Sequence, residues 1–204
     1  MEIIELFIDE TEELSGIDAI SVVSAPAIEE PFIALKDQEQ IRLAEVSKEK
    51  RLLIGAALIP DKPIYRKTDN QEFYIYFSKD TVEKASQMFL KSGKQGQATM
   101  EHASKKLEGM TVVESWLIVD DVHDKSRAYG LDLKVGTWMI TMKVDNDEIW
   151  NDYVKTKKIL GFSIEGFFAD RLNNANNKLP DNYSEDDKLL KQIIDVLEES
   201  NTNA

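Results

Sequence analysis

Short segments that alternate apolar and polar residues, separated by turn-forming residues, run through most of this chain. No other feature limits its fold so strongly, because alternation with a period of two is what a strand needs to bury one face. Residues 2–8 (Glu-Ile-Ile-Glu-Leu-Phe-Ile) have the β-branched and aromatic content of a strand. Residues 17–23 (Ile-Asp-Ala-Ile-Ser-Val-Val), 111–119 and 137–144 alternate. Leu52 to Ile59 is an apolar run that reads as a buried strand, and Pro60-Asp61-Lys62-Pro63 after it is turn chemistry. Residues 72–77 and 159–169 complete the strand set. Two stretches of the body carry helical spacing. One is 80–91, with Val82, Ala85, Met88 and Phe89 on one face. The other is 145–157, with Ile149, Trp150, Tyr153 and Val154. Strands that dominate without strict alternation with helices imply an α+β fold, a small bent sheet or barrel with flanking helices, over a doubly wound parallel sheet.

A chain of 204 residues suffices for one domain with a real core. Residues 1–171 form that body, with a charged, solvated connector at 36–50. Composition changes after Arg171. Residues 172–183 are rich in asparagine and read as a flexible linker. Ser184-x-x-Asp187 then opens an amphipathic helix carrying Leu189, Leu190, Ile193, Ile194 and Leu197.

The net charge of −13 disfavours sequence-nonspecific binding to phosphate backbones, and no basic stripe offsets it. An acidic surface favours lysine- or arginine-containing partners. No apolar stretch is long enough to span a bilayer, and the start of the chain lacks the cationic region of a signal peptide, so the expectation is no membrane and no export. There are no cysteines and two histidines, His102 and His123. Disulfides, thiolate zinc sites, cysteine nucleophiles and histidine-rich metal sites are thereby excluded. Phosphate-binding and dinucleotide-binding glycine motifs are absent, and no cofactor is expected.

Two segments carry candidate chemistry. Ala98-Thr99-Met100-Glu101-His102 follows a glycine-punctuated loop, and Gly161-Phe162-Ser163-Ile164-Glu165-Gly166 sets a serine between glycines on an apolar strand. A serine hydroxyl attacks only when an imidazole can take its proton and donors await the oxyanion. Ser163 and His102 are the candidates for that pair. A serine satisfied inside a sheet and an ordinary surface imidazole would look the same. The serine segment is not the Gly-x-Ser-x-Gly elbow, because Glu165 stands at the second glycine.

The segment Gly161-Phe162-Ser163-Ile164-Glu165-Gly166-Phe167-Phe168 resembles the nucleophile segment of phage serine proteases of XkdF type, which are similar to prohead proteases of tailed phages. Ile17 to Ile28, Gly136-Thr137-Trp138-Met139 and Trp150 resemble other parts of that family. The resemblance covers roughly residues 15–170. It implies a fold like the herpesvirus assemblin and prohead proteases, with Ser163 as nucleophile and His102 as base. It implies an endopeptidase of capsid maturation that cuts scaffold, capsid precursor or itself, within the assembling procapsid in the host cytoplasm. Capsid and scaffold proteins are then its substrates, and a homodimer is one expected form. A non-catalytic virion or scaffold-associated protein that retains the fold is the alternative. In many prohead proteases a strand after the nucleophile reads roughly Leu-x-Glu-Val-Ser-x-Val-x-x-Pro-Ala. Here the similar Ile17–Ala27 precedes Ser163, which implies a circular permutation with Asp18 as the acidic third residue. His123 lies between base and nucleophile and does not fit. Glu101 and Glu165 are weaker substitutes on the reading that each adjoins its partner in sequence, since side chains on adjacent strand residues point apart.

Overall fold

A computed structural model describes residues 2–9, 11, 12, 15–29, 33–35, 50–67 and 71–170. All of them belong to one unit, Met1–Arg171. The connector expected at 36–50 falls almost wholly outside the described residues, and the linker and amphipathic helix expected at 172–204 fall entirely outside them. The described residues form eleven strands: β1 (Glu2–Phe7), β2 (Gly16–Val23), β3 (Ile33–Leu35), β4 (Leu52–Leu58), β5 (Ile64–Lys67), β6 (Glu72–Phe77), β7 (Ala98–Met100), β8 (Met110–Leu117), β9 (Trp138–Val144), β10 (Gly161–Phe167) and β11 (Ala169–Asp170). One long helix, α1 (Lys79–Lys91), follows β6.

The strands form three sheets, in the orders β11-β1-β6-β5, β10-β2-β7 and β3-β4-β9-β8. The fold is thus α+β and rich in sheet. The expected barrel is not found, because no sheet closes on itself among the described residues. Two pairings are parallel, β1 with β6 and β2 with β7, and the others are antiparallel.

The core explains the sheet arrangement. Strand β9 lies between β4 and β8, and its run Trp-Met-Ile-Thr-Met is buried on both faces, as a central strand requires. Helix α1 buries Val82, Ala85 and Phe89, and Phe89 meets Trp138 edge to face at 5.6 Å. Trp138, Trp150, Phe89 and Phe162 have 0–1% of their surface exposed. Each contributes on the order of 2–3 kcal/mol by leaving water. The helix expected over 145–157 is instead a short stretch of π-helical turns, Ile149–Val154. There the amide of Lys155 reaches back five residues to the carbonyl of Trp150 at 3.0 Å, while Ile149, Trp150 and Val154 still bury.

Candidate functional site

Strand β10 sends Phe162 into the core, fully buried, so alternation turns Ser163 and Glu165 to the opposite face. Register carries that face across the small sheet. Ser163 lies opposite Ser21 of β2, Glu165 lies opposite Ala19, and Ser21 lies opposite Thr99 of β7. Paired residues share a face, so Ser163, Glu165, Ser21 and Thr99 form one polar cluster, with Ser21 and Thr99 buried and Ser163 and Glu165 half-buried. Thr99 Oγ1 donates a hydrogen bond to Glu165 Oε1 within this cluster.

His102 follows directly after β7. The amide of Ala103 donates to the carbonyl of Met100 at 2.9 Å, closing a four-residue turn. Its two central residues, Glu101 and His102, both have positive φ, 48° and 58°. This is a type I′ turn made without glycine or asparagine. Each such residue costs on the order of 1–3 kcal/mol. The turn aims the imidazole back at β10, where Nδ1 lies 3.3 Å from Glu165 Oε1. Burial alone would raise the Glu165 carboxyl. The hydrogen bonds from His102 and Thr99, and the charge on His102, outweigh that and hold it below its ordinary value. Glu165 is therefore ionised at neutral pH. When the ring is neutral and Nδ1 faces this carboxylate, Nε2 is the nitrogen left to accept a proton.

Ser163 and His102 thus meet at a common neighbour, Ser21, which pairs with the first in register and accepts the amide of the second at 3.0 Å. Asp18 does not join them. It is the residue that the β2–β10 register skips at the shift beside Glu165 and Gly166, and its carboxylate is taken by the ammonium of Lys94. Glu165 faces His102 in its place. Glu165 stands two residues from Ser163, not one, and residues two apart on a strand share a face, so sequence adjacency does not count against it. Glu101 accepts the amide of Ser24 at 2.6 Å. His123 is paired with Asp120 at 2.9 Å in an exposed loop.

A small cleft of about 30 Å³, room for about one water, touches Phe162, Ser163 and Ile164 of β10. Ala27, Ile28, Ala57, Ile64 and Phe77 give it apolar walls, and Arg66 is its one charged lining residue. Crowding at the cleft lowers the Arg66 guanidinium from its ordinary value, although the residue keeps open surface. Phe77 therefore serves the cleft as well as the core, whereas Trp138 and Trp150 are core alone. Among the described residues no group of three or more histidine, aspartate or glutamate side chains could hold a metal ion, and no helix is long and apolar enough to cross a membrane.

No curated protein and no solved structure matches this sequence. A family match does exist, over residues 40–173, a span that contains Thr99, His102, Ser163 and Glu165 but not β2. The match takes in well over half of the chain, and the protein belongs to the family described as "Putative phage serine protease XkdF".

Proposed function

We propose that the protein is a serine endopeptidase with Ser163 as nucleophile, His102 as general base and Glu165 as the third residue. One observation carries this reading: the His102 ring is held through Nδ1 by a carboxylate on the strand face that bears Ser163. In the first half of the reaction His102 Nε2 takes the proton from Ser163 Oγ as the oxygen attacks the scissile carbonyl. Glu165 keeps the ring in the required tautomer and stabilises the imidazolium that forms. His102 then gives its proton to the leaving amine, and a water attacks the acyl-enzyme with the same base.

Membership of a phage serine protease family supports capsid maturation as the setting, with scaffold, capsid precursor or the enzyme itself as substrate inside the assembling procapsid. Relation to prohead and assemblin-type proteases through a permuted chain order belongs to the same proposal. The pairing of β2, which resembles their strand after the nucleophile, directly against β10 supports it.

The test is co-expression with the neighbouring capsid and scaffold proteins, as wild type and as Ser163→Ala, read by intact mass. Removing the nucleophile lowers the rate by roughly 10⁴–10⁶. Cleavage in the wild type alone is expected, with the cut sites reported by the fragments. Identical fragments from both would remove Ser163 from the mechanism. No cleavage from either would favour a structural virion protein.

A further inference from the structure

We propose that Ser21 and Glu101 are positioning residues that clamp the left-handed turn of Glu101 and His102 onto β2 and so fix where the imidazole points. This rests on the reading of Ser163, His102 and Glu165 as the reacting group. A turn with two successive positive φ values at non-glycine residues persists only when its surroundings over-determine it. Here three hydrogen bonds do so, all to β2 or its exit. The amide of Glu101 donates to the carbonyl of Val22 at 3.1 Å. The amide of His102 donates to Ser21 Oγ at 3.0 Å. The amide of Ser24 donates to Glu101 Oε1 at 2.6 Å.

The two side chains differ in setting, and the difference shapes their roles. Ser21 is fully buried and sits in register with both Ser163 and Thr99, so its hydroxyl ties the base's backbone to the strand pair that carries the nucleophile. Glu101 is exposed, and its side chain reaches back over the turn to β2. Without these bonds the two residues relax to negative φ, where most side chains are at ease. The ring then leaves Glu165. The ionised third residue is thereby coupled to a strained piece of backbone three residues beyond Thr99, which also binds it.

The experiment reads the turn through Glu165, whose carboxyl is held low by His102 and Thr99. Its titration is followed by carbon NMR in the full chain and in the Ser21→Ala, Glu101→Val and Glu101→Gln variants, beside kcat and KM on a peptide spanning a mapped cut site. Valine resists positive φ, whereas glutamine keeps an oxygen for Ser24. Ser21→Ala and Glu101→Val are expected to raise the Glu165 midpoint toward the ordinary carboxylate range. They should lower kcat about 10- to 100-fold with KM within about threefold, as misplacement of a catalytic group does. Glu101→Gln is expected to keep both readings close to the parent. Should buried Ser21→Ala fail to fold, the exposed Glu101→Val substitution decides. An unmoved Glu165 midpoint in a folded Glu101→Val protein would overturn the proposal, as would Glu101→Gln falling as far as valine. The titration needs no turnover, so a Ser163→Ala protein that still cut would sink the catalytic reading without deciding this one.

Discussion

Two places in the molecule are built almost alike. In the sheet of β4, β8 and β9, Glu114 of β8 accepts a hydrogen bond from Thr141 of β9 at 2.6 Å and an ammonium from Lys125 at 3.0 Å. In the sheet of β2, β7 and β10, Glu165 accepts from Thr99 and from the imidazole of His102. Each glutamate adjoins a shift in strand register, the device that re-aims a side chain out of a regular ladder. Each titrates below its ordinary value. The third partner separates them. Lys125 also lies over the Trp116 ring at 3.7 Å, so Glu114 closes a static surface cluster. A histidine can gain and lose a proton near neutrality, and Ser163 shares its strand face. A threonine-bound glutamate on a strand is thus a structural unit, and only what it holds makes it chemical.

Parallel substitutions sharpen that contrast. Glu165→Gln is expected to lower kcat by roughly 10²–10⁴, since the ring loses the acceptor that sets its tautomer. Glu114→Gln should leave kcat within about threefold. Equal losses in steady-state peptide cleavage would erase the distinction. The register shift beside Glu165 offers the next effect. A Cβ at Gly166 would come within 2.0 Å of the Gly16 carbonyl oxygen, where only backbone could give way, whereas one at Gly96 meets nothing within 4 Å. Gly166→Ala should cost roughly 3 kcal/mol in urea unfolding, and Gly96→Ala less than about 0.5 kcal/mol.

Smaller effects follow. Asp18→Asn breaks a half-exposed pair with Lys94 and should change kcat less than about threefold and stability by less than about 1 kcal/mol. A large loss in kcat would return Asp18 to the site. The smallest effect is in acid. Both glutamates have folded values below the unfolded one, near 4.5, so their contribution is complete above that pH and is lost as pH falls through the lowered values. Solvent screens each to less than about 1 kcal/mol. Urea midpoints between pH 6 and pH 3 should fall less in Glu165→Gln and in Glu114→Gln than in the parent, and an unchanged slope would refute the pairing.

Alternation made β2, β8 and β9 legible, while β4, β6 and β10 showed themselves as apolar or aromatic runs of strand length. Strand β7 was not legible. Three residues, Ala98–Met100, are too few for a period, and they become a strand only by docking parallel to β2. The π-helical turns at 149–154 kept the apolar spacing of an α-helix, so the sequence could not announce the wider turn. At the site, Ser163 and His102 came from their motifs. The resemblance of a distant segment to an acidic strand points to Asp18 as the third residue, while the two-residue step from Ser163 to Glu165 places a carboxylate on the serine's face. Thr99 lay in the same segment as His102, but its role depends on a register with β2 that no local pattern encodes.

The central position of β2 sets a clock on the site. The strand is made among the first residues of the unit, yet it pairs with β7 some 80 residues later and with β10 some 140 residues later. Loops of that length close slowly, and nothing local rewards the early strand while it waits. On the ribosome the surface that bears Ser163 cannot exist until β10 has emerged. On the proposed reading, with Ser163 as nucleophile, the protein is silent throughout its own synthesis, and cutting begins only once nearly the whole unit has been made.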